Sequence, residues 1–308
     1  MTACSPAEKA GQPGVTSERC HGVVADDVGG RAPTYGPQAL EEYAVAPAVC
    51  AAWWVDALED WFVPQSLEVL GDRVLVGGYR RSRDAPRHQP CQIVGLDPRS
   101  GRTLGVLRRW EAPVYSDVPT WCRHAGGMEA DEHGLWVVES QRLWLLDPDR
   151  LFDGSDPVLR VWWYRPPVVG STLVIDRGRI GLGRFRIDGP ARMAWFGIDE
   201  LLAPGVTRLP EPRRWQRVPQ RLQGVARGPG GIWFSSSGTH CAELHAPDGR
   251  RLAFVPGAED LEFVGPDLWT VSESGARYYL DPHERTVPAV LRLDASAVLA
   301  GPEHRCGW

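Results

Sequence analysis

Three glutamates stand at equivalent places of a recurring pattern and could act together. Glu68, Glu129 and Glu262 each follow an apolar residue and precede a turn and a second apolar run. If the pattern is a structural repeat closed into a ring, we expect these carboxylates to converge near its axis. Such a ring suits a hard cation, with Ca²⁺ in the central channel as the candidate. It would also let one carboxyl keep a proton and act as a general acid. The alternative is that each glutamate pairs with an arginine between units.

A second polar group lies three residues before this position. It consists of Gln65, Gln223 and Glu259, and Asp260 follows directly. We predict that these side chains bind a ligand over the channel mouth. The alternative is that they only cap the beginnings of strands. His124 precedes the second repeat and is the best general base by type, because imidazole titrates near neutral pH. The alternative for His124 is a structural histidine.

A third group alternates along one predicted strand, namely Cys241, Glu243 and His245. These residue types can hold a transition metal on one face of a strand. A disulfide at Cys241 is the interpretation that we favour. No HExxH, GxSxG, phosphate-binding glycine loop or EF-hand loop is present. The sequence therefore indicates a binding protein before it indicates a particular reaction.

The pattern that positions these residues returns five times, at intervals of about 35 to 60 residues, which is typical of propellers and solenoids. Each copy divides into four short strands, and Asp-Pro or Pro-Asp-Gly turns follow the third strand in four copies. We therefore predict an all-β fold, a β-propeller of five four-stranded blades, or six if residues 50–61 supply another. In the last copy the third and fourth strands are predicted at 276–280 and 289–293. Tryptophans at one position of the second strands are expected to pack blade against blade; they are Trp136, Trp233 and Trp269.

The chain divides into four parts by composition. Residues 1–36 are predicted to be a flexible tether, 37–62 a packing or closing segment, 63–296 the propeller and 297–308 a C-terminal tail. The first copy carries extra length at 80–90 and 110–123. Because function concentrates in loops, we expect the functional loops there.

Seven cysteines are scattered without any CxxC or zinc spacing, which favours disulfides in an oxidising compartment. Cys4 is the odd one, because Thr2-Ala3-Cys4 resembles the end of a bacterial lipobox and predicts a lipid anchor there. The location is then extracellular or at the cell membrane; a cytosolic protein with reduced cysteines is the alternative if the start is as written. The other six allow 15 connectivities. Neighbours along the chain suggest one set of pairs: Cys20–Cys50, Cys91–Cys122 and Cys241–Cys306.

The composition narrows the class of partner. A net charge of −5 argues against nucleic acid, since binding to phosphates needs clustered positive charge. We expect a monomer that binds a small molecule or peptide and meets a membrane only through a lipid anchor. The chain has no asparagine and a single lysine, Lys9. This bias is typical of a GC-rich genome such as that of an actinobacterium.

Short motifs of the repeats resemble known propeller families. Pro64-Gln65-Ser66-Leu67 and the residues 124–128 look like secreted actinobacterial propellers without an assigned function. Gluconolactonase- and regucalcin-type propellers hold a divalent metal through Glu, Asn and Asp, and a chain without asparagine cannot carry that site intact.

Glutaminyl cyclases are five-bladed propellers that resemble 64–67 and 259–264, with Ser66 where their first blade has glycine. This resemblance implies an alternative function, a metal-assisted hydrolase or a cyclotransferase. The candidates for its catalytic residue are Glu68, Glu129 and Glu262.

Overall fold

Five four-stranded antiparallel sheets form the molecule. The computed structural model describes residues 20–36, 39–81, 89–113, 119–280 and 285–308. The sheets follow one another in a ring, and the first strand of each contacts the first strands of its neighbours. The protein is therefore a five-bladed β-propeller, as the repeats predict, and the alternative of six blades is excluded.

The first strand of the chain, β1 (Val49–Trp53), lies apart from the first blade. The first blade contains β2 (Phe62–Leu70), β3 (Arg73–Arg80), β4 (Cys91–Leu96) and β5 (Thr103–Leu107). A short hairpin follows, made of β6 (Glu111–Pro113) and β7 (Pro119–Trp121). The second blade contains β8 (Gly127–Asp131), β9 (Gly134–Val138), β10 (Arg142–Leu146) and β11 (Val158–Trp163).

The third blade contains β12 (Thr172–Ile175), β13 (Arg179–Gly183), β14 (Ala191–Gly197) and β15 (Arg214–Val218). The fourth contains β16 (Leu222–Gly228), β17 (Gly231–Gly238), β18 (Cys241–His245) and β19 (Arg251–Ala253). The fifth contains β20 (Ala258–Val264), β21 (Asp267–Ser272) and β22 (Val290–Asp294). The helices are short: α1 (Ile198–Leu202), α2 (Ala295–Leu299) and three 3₁₀ turns at Ala25–Asp27, Ala46–Ala48 and Asp56–Asp60.

The fifth blade is closed by the beginning of the chain. Strand β1 pairs antiparallel with β22 and supplies the outer edge, with Ala52 opposite Leu291. The predicted third strand at 276–280 is wrong, because these residues form turns in which Tyr279 and Leu280 donate backbone hydrogen bonds to the carbonyl of Ala276. Residues 289–293, predicted to be the fourth strand, largely coincide with the third strand β22. The first and the last strand of the described residues thus share one sheet.

The core lies between the blades. Trp136 stacks on Trp162 at 5.3 Å, and this pair packs with apolar side chains of the third blade. Trp233 meets Phe263 of the fifth blade at 5.7 Å. Trp269 stacks on Trp53 of β1 at 5.4 Å, within the cluster that the fifth blade shares with the first. The ring contact of Trp233 therefore crosses between blades, whereas those of Trp136 and Trp269 lie within their own blades and meet neighbouring blades through the shared apolar clusters.

Three disulfides fasten segments outside the blades. Cys20–Cys50 holds the N-terminal segment to a bulge of β1, and Cys91–Cys122 ties β4 to the segment before β8. Cys241–Cys306 joins the C-terminal tail to β18, with 5.9 Å between Cα atoms. They indicate an oxidising, extracellular environment. Cys4 lies outside the described residues, among which no helix has the length and apolarity to span a membrane.

Candidate functional site

The five inner strands all begin at one face of the ring, because four antiparallel strands return the chain to the side where it started. We name this the upper face. Gln65, Gln223 and Glu259 lie there, each as the extra residue of a β-bulge: their strands shift register at Pro64/Ser66, Leu222/Gly224 and Ala258/Asp260. A bulge re-aims a side chain relative to the regular strand. Because blades four, five and one are consecutive in the ring, the three bulges are neighbours.

A chain of side-chain hydrogen bonds joins these bulges. Gln223 Nε2 donates to Glu259 Oε1 at 2.7 Å, and Gln65 Nε2 donates to Glu273 Oε2 at 2.8 Å. The carboxyl groups of Glu259 and Glu273 are hydrogen-bonded to each other, and Glu273 is also bonded to the hydroxyl of Tyr279. We call these five residues the upper cluster. The structure therefore brings together three of the four predicted ligand-binding residues and adds two others.

The two carboxyl groups of the upper cluster both have raised pKa values. A hydrogen bond between carboxyl oxygens needs one of the two groups to be protonated. Burial and then the charge of Glu273 raise the pKa of Glu259 well above its ordinary value. Burial raises the pKa of Glu273 to about 7, against hydrogen bonds from Glu259, Gln65 and Tyr279 that lower it. Burial thus keeps protons on this pair at pH values at which exposed carboxyl groups have lost theirs.

Tyrosine and histidine extend this network toward the second blade. The Tyr279 hydroxyl lies 3.4 Å from that of Tyr79, whose ring stacks on His124 at 4.4 Å. Burial, with a contribution from the charge of Arg81, lowers the pKa of His124 to about 4. The imidazole is therefore neutral at pH 7. His124 and Ala125 have φ of 92° and 44°. This backbone conformation is costly for residues other than glycine and often occurs at functional sites.

Guanidinium groups and aromatic rings edge the upper cluster. The Arg81 guanidinium lies 3.4 Å from the ring centre of Tyr278, which is 44% exposed and contacts Tyr279 edge to face. Arg277 lies over the ring of Trp61 at 4.6 Å. We call Trp61, Arg81, Arg277 and Tyr278 the rim. It offers both positive charge and aromatic surface beside a buried acid pair.

The repeat glutamates hold neighbouring blades together. Glu262 Oε2 accepts the backbone N–H of Val69 at 2.7 Å, from the fifth blade to the first. Glu129 Oε2 accepts that of Ile175 at 2.6 Å, from the second blade to the third.

Glu68 likewise accepts the N–H of Ala130, from the first blade to the second. Burial, followed by the charges of Glu262 and Glu129, raises the pKa of Glu68 well above its ordinary value. The three carboxylates are thus close enough to repel one another, and each accepts a backbone N–H of the next blade.

The three repeat glutamates do not form a compact group of metal ligands. Among the described residues, the group of three candidate ligand atoms that lies within 4.8 Å is Cys241, His304 and Cys306, and its two sulfurs form a disulfide. Glu68, Glu129 and Glu262 do not form such a group. An ion would have to compete with the backbone N–H groups that they bind, so the arrangement does not fit Ca²⁺ well.

Asp260 and the Cys241 strand also have structural partners. Asp260 accepts the backbone N–H of Leu67 at 3.3 Å and of Leu261 at 3.0 Å, and burial raises its pKa well above the ordinary value. Its carboxyl therefore points at backbone and not at the rim.

Glu243 accepts the N–H of Cys306 at 2.6 Å and lies 3.3 Å from His245. Burial lowers the pKa of His245 to about 4. At Cys241 the structure shows the disulfide and not the metal site.

Sequence reasoning missed Glu273, Tyr79 and Tyr279. Glu273 directly follows β21, and Tyr79 is the last but one residue of β3, so both stand where second strands reach the upper face. A comparison of the residues at the ends of second strands would have found Glu273 and Tyr79. Tyr279 was concealed by the mistaken strand at 276–280.

Comparison with known proteins reaches the fold only. No family model matches the chain, and no curated protein matches it. It is similar to BamB of Moraxella catarrhalis, with 14% identity and a TM-score of 0.34 over 75% of this chain and 59% of that chain. It is also similar to the Pan2 WD40 domain of Neurospora crassa, with 10% identity and a TM-score of 0.39 over 75% of this chain and 60% of that chain. The similarity to glutaminyl cyclase of Myxococcus xanthus has 18% identity and a TM-score of 0.35 over 56% of this chain and 71% of that chain. The chain thus spans about three fifths of the BamB and Pan2 chains.

Proposed function

We propose that this protein binds a small molecule or peptide at its upper face, through the upper cluster. The observation that carries the proposal is the hydrogen-bonded chain from the half-buried Gln223 through the buried Glu259 and Glu273 to Gln65, which crosses three blades and holds two acidic groups. A few convergent polar groups at the end of a channel are what a binding site for a small ligand requires.

The charge of the acid pair points to the class of ligand. Glu259 and Glu273 are 3% and 7% exposed, and burying a charge is costly unless an opposite charge accompanies it. Within the described part of the chain, neither carboxyl forms an ion pair with an arginine or histidine. A ligand that brings an amino group or several N–H donors would supply the missing compensation.

The rim suits the remainder of such a ligand. Tyr278 offers an exposed ring, and Arg81 and Arg277 offer guanidinium groups that pair with carboxylates or carbonyl oxygens. A free amino terminus at the acid pair, followed by peptide carbonyls along the rim, satisfies both. We therefore favour a peptide or amino-acid derivative with a free amine.

The experiment compares dipeptide amides that have a free amino terminus with their N-acetylated forms, by thermal shift and calorimetric titration. We expect the free amines to bind and to raise the melting temperature, and the acetylated forms not to. Glu273→Gln keeps the shape and removes the charge, so it should weaken binding at least about tenfold. The exposed Glu211→Gln is the matched control. Equal binding of acetylated and free forms, or no binding at all, would contradict the proposal.

A second candidate is acid–base catalysis at the same place. It is favoured by one observation, the carboxyl pair in which Glu273 has a pKa of about 7 beside Tyr279, because a group poised near the working pH transfers protons best. A cyclotransferase acting on N-terminal glutamine is the reaction to assay, by release of ammonia at pH 7. Turnover lost in Glu273→Gln at an unchanged melting temperature would support it. Wild-type protein that releases no ammonia would exclude this reaction and leave the binding proposal standing.

We also propose that Cys4 carries a lipid in an actinobacterial host. The small residues Thr2 and Ala3 before the cysteine and the three disulfides support export with an anchor. Expression with labelled palmitate in such a host should label the wild type and not Cys4→Ser. Equal labelling of both would overturn the anchor.

A further inference from the structure

A cavity of about 290 Å³ lies between the third and fourth blades, away from the upper cluster. Asp176 directly follows the inner strand β12, and Pro247 follows the third strand β18, so both stand at the lower face, where inner and third strands end. Trp195 of β14 and Phe234 of β17 line the wall between them. This cavity plays no part in the binding function proposed above.

Positive charge dominates this cavity. The Asp176 carboxylate forms an ion pair with Arg227 and lies 3.7 Å from Arg179 and 3.8 Å from Arg177. Arg214 lines the same cavity, and Asp176 is the acidic residue among its described lining. Two guanidinium groups and one carboxylate therefore line the cavity, and Arg177 and Arg227 add positive charge around that carboxylate. The excess positive charge would attract an anion into the space between the blades.

The hydrogen-bonding groups of the wall point to the same class of ligand. Gln216 Oε1 accepts two bonds, from Trp195 Nε1 at 3.0 Å and from Arg214 at 2.8 Å. Because both lone pairs of that oxygen are engaged, Gln216 has only its amide N–H groups left to offer. Gln216 and Arg214 thus present donors to the cavity, which an anionic oxygen accepts.

The opposite wall is apolar. Ile232, Phe234 and Pro247 of the fourth blade line it, and the Trp195 ring of the third blade adds apolar surface, with its centre 5.8 Å from the Arg179 guanidinium. A purely inorganic ion would leave this surface unused. The volume is close to the lower end of about 300–1,000 Å³ that small-molecule sites occupy.

We propose that this cavity binds a small organic anion. Its phosphate or carboxylate lies against Arg179 and Arg214, whose planar guanidinium groups match such oxygens in pairs. Its apolar body packs on Trp195 and Phe234. The site is independent of the upper cluster, so the failure of one proposal leaves the other intact.

The probes are phenyl phosphate and benzoate, compared with neutral benzyl alcohol and with inorganic phosphate in calorimetric titrations of the whole protein. We expect saturable binding of phenyl phosphate or benzoate, and the tighter of the two identifies the headgroup. Benzyl alcohol should bind at least about tenfold more weakly, because it lacks the charge. Inorganic phosphate should also be weaker, since it does not contact the apolar wall.

Two variants test the assignment. Arg214→Gln and Arg179→Gln should each weaken binding about tenfold, because each removes a charge-assisted hydrogen bond. Arg192→Gln, an exposed arginine of β14, is the matched control and should bind like the wild type. Each variant is compared at an unchanged melting temperature, and Arg214→Gln avoids the contact that Arg179 makes with Asp176. Equal losses in all three variants, no saturable binding, or inorganic phosphate binding as tightly as phenyl phosphate would overturn the proposal.

Discussion

Gln65 of the first blade donates a hydrogen bond from Nε2 to Oε2 of Glu273 in the fifth blade, at 2.8 Å and across 208 residues of sequence. This bond crosses the seam at which the ring closes. It also orients one of the two buried carboxyl groups of the upper cluster. The seam therefore coincides with the candidate site. A substitution in one should alter the properties of the other.

The pH dependence of stability should reveal the raised pKa of Glu273. The pKa of Glu273 rises from 4.5 when unfolded to about 7 when folded. A raised pKa means that the folded state binds the proton more tightly, so the stabilisation is complete below pH 4.5 and is lost as pH rises to about 7. For one buried group this is on the order of 3 kcal/mol. Denaturant unfolding between pH 4.5 and 7.5 should show a smaller decline in Glu273→Gln than in the wild type, because the other buried carboxyl groups with raised pKa values remain in both.

His124 should produce the opposite trend. Its pKa falls from 6.5 to about 4 on folding, so its contribution is complete above pH 6.5 and is lost as pH falls toward 4. The difference between His124→Gln and wild type should therefore change below pH 6.5, where the Glu273 effect runs the other way. Nitrogen chemical shifts of the imidazole measured from pH 3.5 to 7.5 give the direct check. A midpoint near 6.5 would contradict a buried, neutral ring.

The bond between Glu262 and Val69 should contribute to the closure of the ring. Glu262→Ala leaves the Val69 N–H without its side-chain acceptor and should lower the free energy of unfolding by about 1–3 kcal/mol. Glu262→Gln keeps a carbonyl oxygen at that place and should lose less. Urea unfolding at pH 7 measures both variants. If alanine and glutamine were equally destabilising, charge and not the hydrogen bond would be responsible.

A structural feature could be predicted from the sequence where the residues that form it recur from blade to blade. The five blades, the packing of Trp269 and the equivalence of Glu68, Glu129 and Glu262 follow from positions that recur in the sequence. Their bonding to backbone of the next blade does not, because it depends on the register between separate sheets. Tyr279 occurs in one blade only, where β1 replaces an expected strand and frees 276–280 to form turns. Tyr279 was therefore out of reach, whereas Glu273 directly follows a second strand, as Glu139 does, and could have been found by comparing those positions.

Closure of the fifth blade by β1 can be tested at Trp53. This side chain is 5% exposed and stacks on Trp269, so Trp53→Ala removes apolar contacts that join β1 to the rest of the blade. We expect the free energy of unfolding to fall by about 3–5 kcal/mol. Trp308→Ala is the matched control, because Trp308 is 45% exposed and should change stability by less than about 1 kcal/mol. Guanidinium unfolding followed by far-ultraviolet circular dichroism compares them. A loss at Trp53 no larger than that at Trp308 would show that the ring holds together without β1.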